Sequence, residues 1–146
     1  MAIEPFSTGT LLNVLVNTHT QKGLSDYLEN YTIPDSALSF SAAFQSLLEQ
    51  HHLTKSQVIR DSGLDRTYAY QIINGTKAPG RDKILALSLS AGFTLKETCK
   101  LLEAAKAGIL YSRSSRDAVI IYGIQHRLGV MKVNEMLSLI NEIILE

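Results

Sequence analysis

The chain has 146 residues and a mass of 16.1 kDa, with 45% hydrophobic and 19% charged side chains, a balance that excludes a disordered polyelectrolyte. Its formal net charge of zero excludes a polycation that coats nucleic acid through a general field. No apolar run approaches the roughly 20 residues of a membrane-spanning helix, MAIEPFSTG lacks the pattern of a secretory signal, and Cys99 stands alone, so a cytoplasmic protein with no internal disulfide is expected.

Apolar spacing is helical nearly throughout, and no long segment alternates as a strand would, which predicts an all-α protein. Residues 1–35 read as an N-terminal helical arm with short helices near 10–18 and 24–30, ended by Pro34 and Asp35. This end of the chain is acidic, with net charge −3 over residues 1–40 against +2 over 41–83 and +1 over 84–146. A helix over about 36–51 follows, with Phe40, Phe44, Leu47 and Leu48 at the i, i+4, i+7 and i+8 spacing of a core-facing stripe. His51 and His52 are expected to help end it through the helix dipole.

Thr54-Lys55-Ser56-Gln57 is a T-x-x-Q capping box, in which side chain and backbone satisfy each other's unpaired groups. It opens a helix of about two turns that Gly63 ends. Asp65 is a good N-cap for the next helix, which should stop at Asn74-Gly75, where glycine takes the left-handed conformation. At about 100° per residue, Ala69, Ile72 and Ile73 share the inner side of that helix. Arg66, Thr67, Tyr70, Gln71 and Asn74 share the outer side.

Beyond Pro79 the chain repeats at an offset of 35. Residues 80–102 align without gaps to 115–137, placing Arg81-Asp82 on Arg116-Asp117, and Leu85, Leu89, Phe93, Leu95 and Leu102 on Ile120, Ile124, Leu128, Val130 and Leu137. Each copy reads as helix, turn, helix. The Arg-Asp match alone is small enough to be coincidence, whereas the apolar pattern predicts that the second pair packs like the first. Residues 111–146 are therefore read as a C-terminal helix pair. Val133, Met136, Leu137, Ile140 and Ile144 form a stripe over a helix at 131–145 that Leu139, Ile143 and Leu145 widen, so this helix is the first choice for a homodimer interface. The N-terminal arm is the second, and its acidity also suits a protein partner.

The run LTKSQVIRDSGLDRTYAYQIINGTKAP at 53–79 resembles the helix-turn-helix of the lambda-repressor-like (XRE, Cro/CI-type) family. Leu53, Thr54, Gly63, Ile72, Gly75 and Pro79 agree with the family pattern L-T-Q-x-x-L-A-x-x-x-G-V-S-x-x-x-I-S-x-[IL]-E-x-G-x-x-x-P, and Val58 and Leu64 are conservative substitutes. With its flanking helices the resemblance covers about half the chain. It implies a five-helix DNA-binding domain at 36–110, between the arm and the extra helix pair, in a bacterial or phage transcriptional regulator, often a repressor. The second motif helix would enter the major groove of double-stranded DNA as a dimer.

The resemblance implies base reading by Arg66, Thr67 and Gln71, which Tyr70 joins on helical geometry alone, and phosphate contacts by Lys55, Ser56, Asn74, Lys77 and Arg81. Arg suits guanine, Gln adenine, and a Thr methyl thymine. The sequence departs from the family in three places. Ile59 and Ala69 exchange a small and a large residue that face each other, nearly conserving volume. Leu48 and Ile73 stand where many members have an Arg–Glu pair, and basic residues on the presumed DNA face are sparse.

The outer arc also suits a merely solvated face, which makes an all-helical interaction adaptor the alternative function. Tyr68 reads as packing at the edge of the motif. The four histidines form no H-x-x-E or HExxH pattern, Cys99 reads as a small buried apolar residue, and no Gly-rich phosphate loop occurs. No enzyme activity, cofactor or metal is expected.

Overall fold

The computed structural model describes residues 8–31 and 36–146, which form nine helices and no strands. The chain divides into two units, residues 1–34 and 35–146.

In the first unit, α1 (Thr8–Val16) pairs with α2 (Gln21–Tyr31). The Thr20 hydroxyl accepts the Gly23 N–H at 2.9 Å, so α2 starts at its cap, three residues before the apolar pattern that suggested a start at 24. Leu12, Val14, Leu15 and Val16 of α1 are exposed.

The second unit begins with α3 (Ser36–Gln50), which packs on α5 (Arg66–Ile73) and α7 (Leu95–Ala104). Its predicted stripe holds: Phe40, Phe44 and Leu48 are buried and Leu47 is half-buried. Phe44 stacks on Phe40 at 5.4 Å and meets Phe93 edge-on at 5.5 Å. The two histidines at the end of α3 divide their roles. His52 takes a positive φ of 55° and turns the chain, while His51 Nε2 lies 3.0 Å from the Glu97 carboxylate at the start of α7.

At the centre lies α6 (Arg81–Ala91), where Ile84, Leu85, Ala86, Leu87, Ser88 and Leu89 are all buried. A helix buried on every side must be surrounded, and α6 touches α4 (Lys55–Ser62), α7, α8 (Ser115–Gln125) and α9 (Val130–Leu139). Residues 111–146 therefore share one compact unit with 36–110. Cys99, on α7, is half-buried rather than buried.

The repeat is structural. Leu85 and Ile120, Leu89 and Ile124, and Leu102 and Leu137 are buried at matched positions. The Arg-Asp match is its joint: Arg81 grips Asp117 at 2.6 and 3.0 Å, and Arg116 grips Asp82 at 2.9 and 3.0 Å. Each pair is a two-pronged guanidinium–carboxylate contact, the strongest form such a bond takes. Burial pushes the Asp117 carboxyl up, but hydrogen bonds from Arg81 and from the Tyr111 N–H, with the charges of Arg81 and Arg116, hold it below the usual carboxylate range. Gly123 lets α9 approach α8, since a Cβ there would lie 2.3 Å from Val133 Cγ2.

The expected helix over 131–145 is corrected. It ends at Leu139, Asn141 takes a positive φ of 59°, and the following residues run without helix so that Leu145 is buried. Apolar residues at 139, 140, 143, 144 and 145 surround a helix, and no single face could bury them. A turn at Asn141, among the residues most tolerant of left-handed backbone, returns Leu145 to the core.

Candidate nucleic-acid interface

The pair α4–α5 is built by local chemistry that the sequence announces. The Thr54 hydroxyl accepts the Gln57 N–H at 3.2 Å, and the Gln57 side chain accepts the Thr54 N–H at 3.0 Å. Gly63 ends α4 at a φ of 78°, and the Asp65 carboxylate accepts the Tyr68 N–H at 2.9 Å to start α5. At the far end, the Ile73 carbonyl accepts from the Ser41 hydroxyl at 2.6 Å and the Gln45 amide at 3.1 Å. These bonds fix the end of α5 against α3. Gly75 follows at a φ of 83°, where a Cβ would crowd Ser41 and Leu38 at 3.1–3.3 Å.

Burial sorts α5 as its helical angles require. Ala69, Ile72 and Ile73 are each 0% exposed, and Ile59 and Leu48 are buried at 4%, so the altered core positions are packed. On the other side Arg66, Thr67 and Asn74 are exposed, and Tyr70 and Gln71 are half-buried. The Arg66 guanidinium lies 5.7 Å from the centre of the Tyr70 ring, a cation–π contact that narrows the directions this side chain samples. Ser56, Ile59, Arg60, Leu64, Arg66 and Tyr70 line a small cleft of about 290 Å³ between the helices.

The residues expected to hold phosphates fall into three situations. Lys55 Nζ donates to Asn74 Oδ1 at 2.6 Å, which joins the start of α4 to the end of α5 and brings both side chains together. Ser56 and Lys77 are exposed. Arg81 is corrected: its guanidinium is consumed by Asp117 and by the Ile109 carbonyl at 2.7 Å. It belongs to the joint between the repeats.

Beside Lys77 lies a second lysine that the sequence alone did not point to, its ammonium already donating to the Glu146 carbonyl at 2.6 Å. Lys83 Nζ lies 5.7 Å from the Tyr68 ring centre, and Lys77 Nζ lies 5.6 Å from the same ring. Tyr68 does pack on the core, as expected, while gathering both cations. No spacing rule links residues 77 and 83, because a turn separates them; only the fold does. Among the described residues, no three His, Cys, Asp or Glu side chains converge as a metal site would require. No family model, curated protein or solved structure matches this chain.

Proposed function

We propose that this chain is a sequence-specific DNA-binding transcriptional regulator of the lambda-repressor helix-turn-helix type, with α5 as its recognition helix. One observation carries the reading: a two-turn helix buries Ala69, Ile72 and Ile73 completely while its outer side presents Arg66, Thr67, Tyr70 and Gln71 without an acidic residue among them. A helix of that width fits the major groove, and those side chains match the donors and acceptors on base edges. Lys55, Ser56, Asn74 and Lys77 would hold the phosphates on either side. Such contacts orient the protein without reading sequence.

The protein would act as a homodimer, which places two recognition helices on half-sites about 34–36 Å apart. Exposed Met131, Leu139 and Ile143, at 79%, 82% and 76%, favour the C-terminal region as the interface. The same apolar surface also supports the second reading, an interaction adaptor that keeps this fold without using DNA. Selection of bound duplexes from a random pool, followed by sequencing, separates the two. The regulator yields a recurring motif that Arg66→Ala or Gln71→Ala relaxes at individual positions. A pool that stays random through successive rounds rejects the regulator.

A further inference from the structure

Both tyrosines of α5 carry a cation. The Arg66 guanidinium lies 5.7 Å from the centre of the Tyr70 ring, and Lys77 Nζ lies 5.6 Å from that of Tyr68. Both rings are half-buried and pack against the core. A ring held against the core keeps its place, and its electron-rich face attracts the cation that rests on it.

The helix itself sets Tyr70 and Arg66 for this contact. Residues four apart are neighbours on a helix surface, and a long helical side chain leans toward the N-terminus, over the turn before its own Cα. Tyr70 therefore leans toward Arg66, in the cleft that both share with Ile59 and Leu64. The carboxylates nearest in sequence are engaged elsewhere. Asp65 accepts the Tyr68 N–H at 2.9 Å, and Asp61 accepts from Arg60 Nε at 3.3 Å. Arg66 is exposed, so without the ring its guanidinium would sample many directions in water. An arginine has more rotamer freedom to lose than most side chains. Whatever part is lost in the free protein need not be lost at a base edge.

We propose that Tyr70 is a positioning residue, whose ring aims the Arg66 guanidinium at its base and whose hydroxyl takes no part in the reading. The arginine fork pairs with guanine through two parallel hydrogen bonds, which demand one orientation of its plane. The contact therefore acts on discrimination at a single base pair. The inference rests on α5 reading DNA and narrows the part of Tyr70 in that reading.

The test uses the full chain and duplexes selected from a random pool. Tyr70→Leu keeps an apolar packing residue but removes the ring. It should weaken discrimination at the Arg66 base pair by about two- to fivefold, and the Gln71 pair should not share the loss. Tyr70→Phe, which keeps the ring, should recover most of it. Unfolding midpoints fix the folded fraction at which the variants are compared. In the free protein, NMR should show the Arg66 Nε–H shifted upfield by the ring and less mobile on the picosecond to nanosecond scale than that of exposed Arg113. An Arg66 signal as mobile as that of Arg113 overturns the inference without recourse to DNA. So does a Tyr70→Phe variant that discriminates no better than Tyr70→Leu, because the hydroxyl is then the active group. A Tyr70→Leu loss spread evenly over all base pairs also overturns it, by making Tyr70 a structural residue. With a recurring motif, any of these results leaves the regulator standing and removes only the role of Tyr70. A pool that stays random removes both.

Discussion

The α4–α5 pair and the α6–α7 pair are written in nearly the same local code, yet they dispose of their polar side chains in opposite ways. Each contains a helix opened by a capping box, Thr54 with Gln57 in one and Thr94 with Glu97 in the other. Each has a left-handed glycine after its first helix, Gly63 or Gly92. Two charged groups of α6, Arg81 and Asp82, close onto their counterparts Asp117 and Arg116 in α8. Among the described residues Arg66, on the outer side of α5, has no carboxylate partner and rests on an aromatic ring. Local code therefore decides that a helix pair forms, and the pairing of its charges decides whether it serves as scaffold or as surface.

The largest expected effect lies on the scaffold side. Asp117→Ala strands the Arg81 guanidinium and should cost about 3 kcal/mol in denaturant unfolding, leaving any DNA contact made by α5 in place. Asp117 also gives this joint a pH signature. Its folded-state pKa lies below the ordinary value, so its contribution is complete above about pH 4 and is lost as pH falls through the lower folded value. Unfolding midpoints followed from pH 6 to pH 2 should fall less steeply in Asp117→Asn, measured against that variant's own value at pH 6.

Next in size is the close approach of α8 and α9. Gly123→Ala drives a methyl into Val133 and should cost about 2 kcal/mol, and adding Val133→Ala should recover part of the loss created by the clash. A cost unchanged by the second substitution would place the strain elsewhere.

On the surface side the effects should appear in binding rather than folding. Arg66→Ala should lose about 1–3 kcal/mol of discrimination at one base pair with an unchanged unfolding midpoint. The smallest effect sharpens the likeness of the two pairs: Thr54→Ala and Thr94→Ala should each cost about 1 kcal/mol of stability. A large difference between them would mean that the shared caps do not play equal parts.

Much of this organisation was legible because it is written in short-range chemistry. The caps at Thr54 and Asp65, the end of α4 at Gly63 and the stripe Phe40–Phe44–Leu48 depend on neighbours within two turns, and all appear where expected. The outward direction of Arg66 and Thr67 follows from helical angle in the same way. What failed depends on partners distant in sequence. Arg81 looked free because Asp117 lies 36 residues away, although the repeated Arg-Asp pair was the available signal. Lys83 joins Lys77 only through the turn that sets both beside Tyr68. The final helix stops at Leu139 although apolar residues continue to 145, because burying Leu145 requires the chain to turn back at Asn141.

Whether α5 is a DNA-reading surface is tested most directly by the salt dependence of binding to a selected duplex. Affinity measured from 50 to 200 mM salt should fall steeply on logarithmic axes, and Lys77→Ala should reduce the slope by about one. Arg81→Ala should leave the slope unchanged. Binding that ignores salt, or a slope that responds to Arg81 and not to Lys77, would contradict the assignment of surface and scaffold.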